Sequence, residues 1–472
     1  MKALSNFFVR LMNRFLPDPF IFCTVLTIVV FIFAIPAAGA NPLQLVDAWG
    51  GGVWALLAFS MQMALVVVTG TAFATAPPIK RFLQKLAATA KTPVQGVMLV
   101  AVVGAIATFV NWGFGLVVGA LLGREVAKAV KGVDYRLVIA AGYSVFVIWH
   151  AGISGSIPLQ LNTASQIISE AEAAASDGTL VAGTIKNTGN AVSALIPTSE
   201  TIFAPWNLIT ILIVVIALTI LLGKMHPAPE DTFVVDPALL EDKDREYPAP
   251  KTPAEKIENS PVLSVIIGIM GLVYLVHYFA GKGINGLNLD VVNFIFLILG
   301  ILLHKTPIRY VHAVQDAAGG AAGVMLQFPF YAGIQALMVY AGGSTGTSLA
   351  AVISNFFVSI SNHVTFPIFT FLAAGIVNFF VPSGGGQWTV QGPIMMPAGL
   401  ELGVKPAITA MSIAWGDAWT NLVQPFWALP ALGVAGLSAR DIMGYCAVAL
   451  IISGIIVAIA FIIVGVSGLS AV

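Results

Sequence analysis

Asp417 stands inside an apolar run, in Trp415-Gly-Asp-Ala-Trp-Thr-Asn-Leu-Val-Gln-Pro425. A charged side chain at the centre of a spanning helix costs about 2.5–3.5 kcal/mol on insertion scales, so an acid there is a functional candidate by default. The plainer alternative is a protonated acid hydrogen-bonded to Thr420 or to a neighbouring helix. His150, in Trp149-His-Ala-Gly-Ile-Ser-Gly-Ser-Ile-Pro158, carries a side chain suited to proton handling; its alternative is a histidine at the membrane–water interface. Two glycine-rich stretches complete the set: Val381-Pro-Ser-Gly-Gly-Gly-Gln-Trp-Thr-Val-Gln-Gly-Pro393 and Asn111-Trp-Gly-Phe-Gly115. At membrane depth such backbone is tolerated only where it is buried in protein or lines a cavity. Two short helices meeting at a polar tip would aim backbone N–H groups at a solute. Close helix packing is the other use of such glycines, and Ser383 and Gln387 beside them favour ligand contact. Trp112 and Trp388, one near each tip, fit either a cavity wall or an interfacial belt.

What must position these residues is a membrane-embedded helical chain. Of 472 residues 58% are hydrophobic and 9% charged, with mean hydropathy +0.92, against roughly a quarter charged in soluble domains. Apolar runs near the length of a bilayer crossing recur from end to end. Zero net charge gives no support for nucleic-acid binding. Cys23 and Cys446 both fall in apolar runs, so neither a disulfide nor a metal framework is implied. The basic, then apolar, N-terminal stretch is expected to be an uncleaved first helix.

The expected spans are 20–38, 53–75, 137–158, 206–223, 261–281, 288–304, 313–341, 406–431 and 442–467. Basic clusters at Lys80–Lys91 and Arg124–Arg136 flank residues 95–123; if both are cytoplasmic, that segment enters and leaves on one side. It is expected to be a re-entrant hairpin, and 364–400 a second one from the opposite face, since each apolar flank of Ser383 is shorter than the ~20 residues of a span. Residues 160–203 are expected to be a polar loop.

An internal repeat supports this. At an offset of 269, Asp47-Ala-x-Gly-Gly51 matches Asp316-Ala-x-Gly-Gly320 and Phe59 matches Phe328; at 271, Gly104, Phe109, Val110, Gly113 and Gly115 match Gly375, Phe380, Val381, Gly384 and Gly386. The same offset pairs Gly132-Val133 with Gly403-Val404, and sets His150 opposite Asn421. Halves related by a repeat and entering from opposite sides are the inverted topology of many secondary transporters. The expected organisation is a first repeat over 1–223, a charged cytoplasmic linker over 224–260, and an extra helix plus second repeat over 261–472.

Substrate contacts are therefore expected from Asn111, Trp112, Gly113 and Gly115 at the first tip, from Ser383, Gly384, Gly385, Gly386 and Gln387 at the second, and from Ser154, Ser156, Thr420 and Asn421 on the two interrupted spans. Asp417, His150 and Asn378 are the candidates for a coupling cation, H+ or Na+; no other cofactor and no metal is expected. No Lys or Arg falls in the tips or interrupted spans. A dicarboxylate or phosphate would usually want one, whereas a single carboxylate can be held by helix N-termini, hydroxyls and amides. A P-loop is absent, because Gly384–Gly386 lacks the Lys-Ser/Thr that follows in one.

The Arg14-Phe-Leu-Pro-Asp-Pro-Phe20 start, the Asn378-Phe-Phe-Val-Pro-Ser-Gly-Gly-Gly-Gln-Trp388 tip and the Trp415-Gly-Asp-Ala-Trp-Thr-Asn421 span resemble the bacterial short-chain fatty acid transporter family, over the whole chain. That family is similar to a wider ion-transporter superfamily with divalent-anion and aminobenzoyl-glutamate transporters. The resemblance implies an all-α polytopic inner-membrane protein of inverted repeats, with about nine transmembrane helices and two re-entrant hairpins. It further implies an elevator-type homodimer and, as substrates, short-chain monocarboxylates such as acetoacetate or butyrate; a co-transported cation would offset the cost of moving a monoanion into a negative-inside cell, so symport is expected. The first tip lacks the Ser-Asn-Thr pattern of the divalent-anion relatives, which counts against a sodium site of their kind. The other readings are a symporter for a different small organic anion, dicarboxylate or aminobenzoyl-glutamate-like, and a membrane-embedded enzyme using His150 or Asp417. The enzyme is disfavoured because no nucleophile–base pair stands out and inverted halves serve no evident catalytic purpose.

Overall fold

The computed structural model describes residues 2–15, 17–161, 196–236, 240, 245, 247, 249–283 and 288–472; most of the expected 160–203 loop lies outside them. The described residues are helical, with one isolated bridge between Val404 and Ala471. Proline sets many of the helix starts. Pro19, Pro42, Pro77, Pro93, Pro205, Pro261, Pro307, Pro406 and Pro425 each open a helix, where the missing N–H has no intrahelical partner to lose. Side chains of Asp18, Asn41 and Thr92 also cap three of these, and Asn111, Asp134 and Ser383 cap helices without a leading proline.

In the first half these are α1 (Lys2–Phe15), α2 (Pro19–Ala38), α3 (Pro42–Gly52), α4 (Leu57–Thr75), α5 (Pro77–Ala87), α6 (Pro93–Val110), α7 (Trp112–Ala129), α8 (Tyr135–Ser144), α9 (Ser156–Leu161) and α10 (Pro205–Lys224). After the short α11 (Pro253–Glu258) come α12 (Pro261–Lys282), α13 (Leu289–His304), α14 (Pro307–Ala318), α15 (Ala322–Val339), α16 (Leu349–Ser359), α17 (Phe366–Phe380), α18 (Gly384–Glu401), α19 (Pro406–Thr420), α20 (Pro425–Ala435) and α21 (Ala439–Val466).

Among the described residues, eight stretches are long and apolar enough to cross a membrane. Seven are expected spans; the eighth is α6, the first arm of the expected 95–123 hairpin. Of the other two expected spans, 288–304 is the shorter α13, and 406–431 is divided between α19 and α20. Two amphipathic helices, α1 and α3, were not expected from the sequence.

Both hairpins close on themselves. A Cβ on Gly96, near the start of α6, would touch Val126, Val130 and Val133 at the end of α7. One on Gly399, near the end of α18, would meet Phe366 at the start of α17. Boundaries repeat as the sequence offsets require. Tyr135 opens α8 and Pro406 opens α19; Gly132 and Gly403 are both left-handed, at φ 71° and 74°, a conformation glycine adopts without steric cost. Phe59 and Phe328, paired by the 269 offset, stack with ring centroids 5.8 Å apart.

Burial grades from rim to centre. Only 22% of the residues in the α2 and α12 spans are buried, against 94% of the span Tyr135–Leu159. His150, Ser154 and Ser156 thus lie on the most enclosed of these stretches.

Candidate functional site

Two interrupted helices form the centre. After α8 the chain tightens into a 3-10 segment, Val145–Ala151, turns at Gly152 and restarts as α9. After α19 it does the same at Asn421–Val423, turns at Gln424 and restarts as α20. Glycine is required at the first turn: a Cβ on Gly152 would lie 2.7 Å from the Phe109 carbonyl oxygen of the first hairpin. The freed backbone groups find partners across elements, as they must away from water. Ile153 N–H donates to Phe109 O at 2.8 Å, and Trp112 N–H to Ser154 Oγ at 2.9 Å. Asn111 caps α7 through Phe114 N–H at 3.0 Å.

His150 and Asp417 meet here, Nδ1 to Oδ2 at 2.7 Å, with neither side chain exposed. The interfacial alternative for His150 is overturned, and the partner of Asp417 is this imidazole and not Thr420. The tautomer follows from a third contact. Ile157 N–H donates to His150 Nε2 at 3.0 Å, so that nitrogen presents its lone pair and the ring proton sits on Nδ1, donated to Asp417. With Asp417 ionised, the pair is a neutral imidazole against a carboxylate, with net charge −1. No Lys or Arg is buried among the described residues to balance it, and Asp417 Oδ1 has no hydrogen-bond partner.

The second tip leans on this pair. Ser383 caps α18, accepting Gly386 N–H at 3.3 Å. A Cβ on Gly384 would lie 2.6 Å from His150 Cε1, 2.7 Å from Ser156 Oγ and 2.8 Å from Trp149 Cη2. The positive end of α18 therefore approaches the histidine within contact distance. Behind the tip, Asn378 Nδ2 donates to Thr420 Oγ1 at 2.9 Å and to Asn421 Oδ1 at 2.7 Å. Gln387 Nε2 donates to Ala374 O at 2.8 Å and to Gln391 Oε1 at 2.7 Å. Asn378 Oδ1 and Gln387 Oε1 are buried acceptors with no partner.

The structure brings His150, Ser156 and Asp417 together with Gly384, and joins Asn378 to Thr420 and Asn421. Asn111, Trp112 and Ser154 form a separate junction at the first tip. Gly115 serves packing: a Cβ there would meet the Thr108 backbone at 2.6–2.7 Å. Gly385 and Gly386 are half-buried. Trp112 is walled by Trp149 and Trp427, at 5.9 and 5.2 Å between centroids. Three contributors were missed. Gln424 holds the second break, donating to Phe379 O at 2.7 Å while its Oε1 takes Tyr331 O–H and Phe426 N–H, both at 3.1 Å. Tyr143 O–H donates to Asn421 O. Asn207 of α10 binds Ala151 O at 3.2 Å and accepts Trp415 Nε1–H at 2.9 Å. Only Gln424, directly before Pro425, had a sequence signal.

A family model described as short chain fatty acid transporter matches residues 1–464. Two curated proteins, provisionally named short-chain fatty acid transporters, are each 44% identical to this chain. The one from Escherichia coli (strain K12) aligns over 456 residues and that from Haemophilus influenzae over 454, in both cases 96% of this chain and 97% of the relative. Among solved structures, the Alcanivorax borkumensis YdaH transporter aligns over 96% of this chain and 98% of its own, with 11% identity and a TM-score of 0.39. Neisseria gonorrhoeae MtrF, described as an antimetabolite efflux pump, aligns over 97% of each chain with 15% identity and a TM-score of 0.36.

Proposed function

The chain belongs to the short-chain fatty acid transporter family, whose members are transporters and not enzymes, and from that premise we propose that it is a cation-coupled symporter for short-chain monocarboxylates such as acetoacetate or butyrate. The proposed setting is a bacterial inner membrane, with inverted repeats, two re-entrant hairpins and an elevator-type homodimer. The observation that carries this reading is the buried His150–Asp417 pair against the tip of α18. The tip supplies backbone N–H groups, Ser383 and Ser156 for one carboxylate. A site that already holds one uncompensated negative charge repels that carboxylate unless a cation joins it. Both ions then enter together, which is symport.

The coupling cation is a proton, taken by the Asp417–His150 pair at the unpartnered Asp417 Oδ1. A second reading, sodium, has its own observation: Asp417 Oδ1, Asn378 Oδ1 and Gln387 Oε1 are three buried oxygens without donors. A dicarboxylate or aminobenzoyl-glutamate-like substrate fits less well, because no Lys or Arg is buried among the described residues to meet a second carboxylate.

Uptake of labelled butyrate into proteoliposomes tests this, with an imposed proton gradient, an imposed sodium gradient, or neither. Accumulation driven by the proton gradient alone is expected. Asp417→Asn should abolish accumulation and keep butyrate exchange across the membrane. Sodium-driven accumulation selects the second reading, and an Asn variant that concentrates substrate like wild type removes Asp417 from coupling.

A further inference from the structure

Away from the transport site, a cavity of about 630 Å³ opens between α5, the end of α7, the linker, and α14. Lys80, Arg81, Arg124, Arg245 and Arg309 line it, with Asp316 as the acid among the lining residues. Asp316 is already engaged, receiving Arg245 Nη2–H at 2.7 Å. Among the described residues the lining thus holds five basic side chains and one acid. Orienting a membrane protein requires basic residues on the cytoplasmic side, but it does not require segments so far apart in the chain to turn them into one concavity.

Two of the guanidinium groups, those of Arg81 and Arg309, are held in place with donors to spare. Arg81 commits its Nε–H to Pro77 O at 3.1 Å, one of the five N–H donors a guanidinium has. Arg309 lies over the Tyr247 ring at 4.8 Å, which occupies its face and leaves its donor edge. Rigid forks of this kind match phosphate oxygens in pairs. Location adds a second argument. The helix α5 is amphipathic, with Leu83 and Ala87 buried and Phe82 61% exposed. It follows the α4 span directly, as a helix lying at the membrane surface would. Basic cavities at this level, between transmembrane helices on the cytoplasmic side, are suited to anionic lipid headgroups.

We propose that this cavity, formed by Lys80, Arg81, Arg124, Arg245 and Arg309, binds an anionic phosphate group, with the phosphate of an anionic lipid headgroup and free inorganic phosphate as its two sources. Bound there, the phosphate ties the end of the first hairpin, through Arg124, to the surface helix α5 and to α14.

The test uses the full-length purified protein in neutral detergent. Native mass spectrometry reads retained lipid after exposure to phosphatidylglycerol or phosphatidylcholine, and thermal unfolding is followed with added inorganic phosphate. Retention of phosphatidylglycerol over phosphatidylcholine, without a phosphate response, identifies the lipid as the source. A rise in unfolding temperature with inorganic phosphate, but not with equal ionic strength of chloride, identifies the free ion. The double variant Arg81→Gln, Arg309→Gln should weaken whichever binding is seen by roughly tenfold or more. Both side chains are exposed, so folding should survive, with butyrate binding as the check. Lys91→Gln, a basic residue on α5's side of the molecule but outside the cavity, should change nothing. Absence of both responses overturns the proposal and means that the neutralising charge comes from within the chain. An equal loss in Lys91→Gln also overturns it, reducing the effect to general surface charge.

Discussion

At the scale of single residues, Gly384 has the narrowest requirement. It is the first residue of α18, and the space its side chain would fill is taken by the His150 ring, Ser156 Oγ and Trp149. Adding a methyl group at 2.6 Å from His150 Cε1 forces either the tip or the imidazole to move, at a typical overpacking cost of about 1–3 kcal/mol. The backbone itself accepts alanine, because the conformation here is not left-handed. Gly384→Ala is therefore expected to fold, to lose most butyrate transport, and to weaken butyrate binding. Gly319→Ala is the matched control, since a Cβ there meets nothing within 4 Å. Wild-type transport by Gly384→Ala would separate the tip from the histidine. Asp417 and the glycine run were legible in the sequence because each is costly in an apolar helix. The His150–Asp417 contact was not. The repeat offset set His150 opposite Asn421, and the actual pairing depends on how the 3-10 segment Val145–Ala151 rotates the ring toward α19. The same holds for Tyr143 and Tyr331, whose hydroxyls reach Asn421 and Gln424: Tyr331 stands in a plain apolar span, and Tyr143 precedes the polar interruption of its own.

At the scale of elements, the hairpins and the two broken helices were legible because glycine, proline and amide residues interrupt long apolar runs at matching offsets. Less was visible of α1 and α3. Their amphipathic patterns are short, and packing of α1 on α21 and of α3 on α15 decides their placement. The first hairpin carries the topology. Lys80 and Arg81 precede it and Arg124 lies near its end, yet all three line one cavity, and the start of α6 touches the end of α7 at Gly96. Single cysteines placed at Lys91 and at Lys131, both exposed, are accordingly expected to react with an impermeant thiol reagent only from the cytoplasmic side of oriented vesicles. Labelling of the pair from opposite sides would turn residues 93–129 into a full crossing and remove the proposed inverted relation of the two halves.

At the scale of the whole molecule, the question is how much net charge one transport cycle moves. Two of the most enclosed helical segments, Val145–Ala151 and α19, meet at the His150–Asp417 pair; in the proposed elevator cycle the pair travels with the body that carries the substrate. Loaded with one monocarboxylate and one proton, that body holds the same net charge as when empty, namely the −1 of the pair. Each charge moved across the membrane potential is worth about 2.3 kcal/mol per 100 mV, so an uncoupled monoanion would be driven out of a negative-inside cell by that amount. One proton per substrate cancels the term. Butyrate accumulation at a fixed proton gradient is thus expected to be indifferent to a potassium diffusion potential of either sign set with valinomycin. In Asp417→Asn, by contrast, net substrate movement should become sensitive to that potential, because the anion then crosses without its proton. An accumulation ratio in wild type that rises about tenfold for each 60 mV of inside-negative potential would show one net positive charge entering per cycle. That result would require a second cation beside the first, and the unpartnered oxygens of Asn378 and Gln387 would then be the place to seek it.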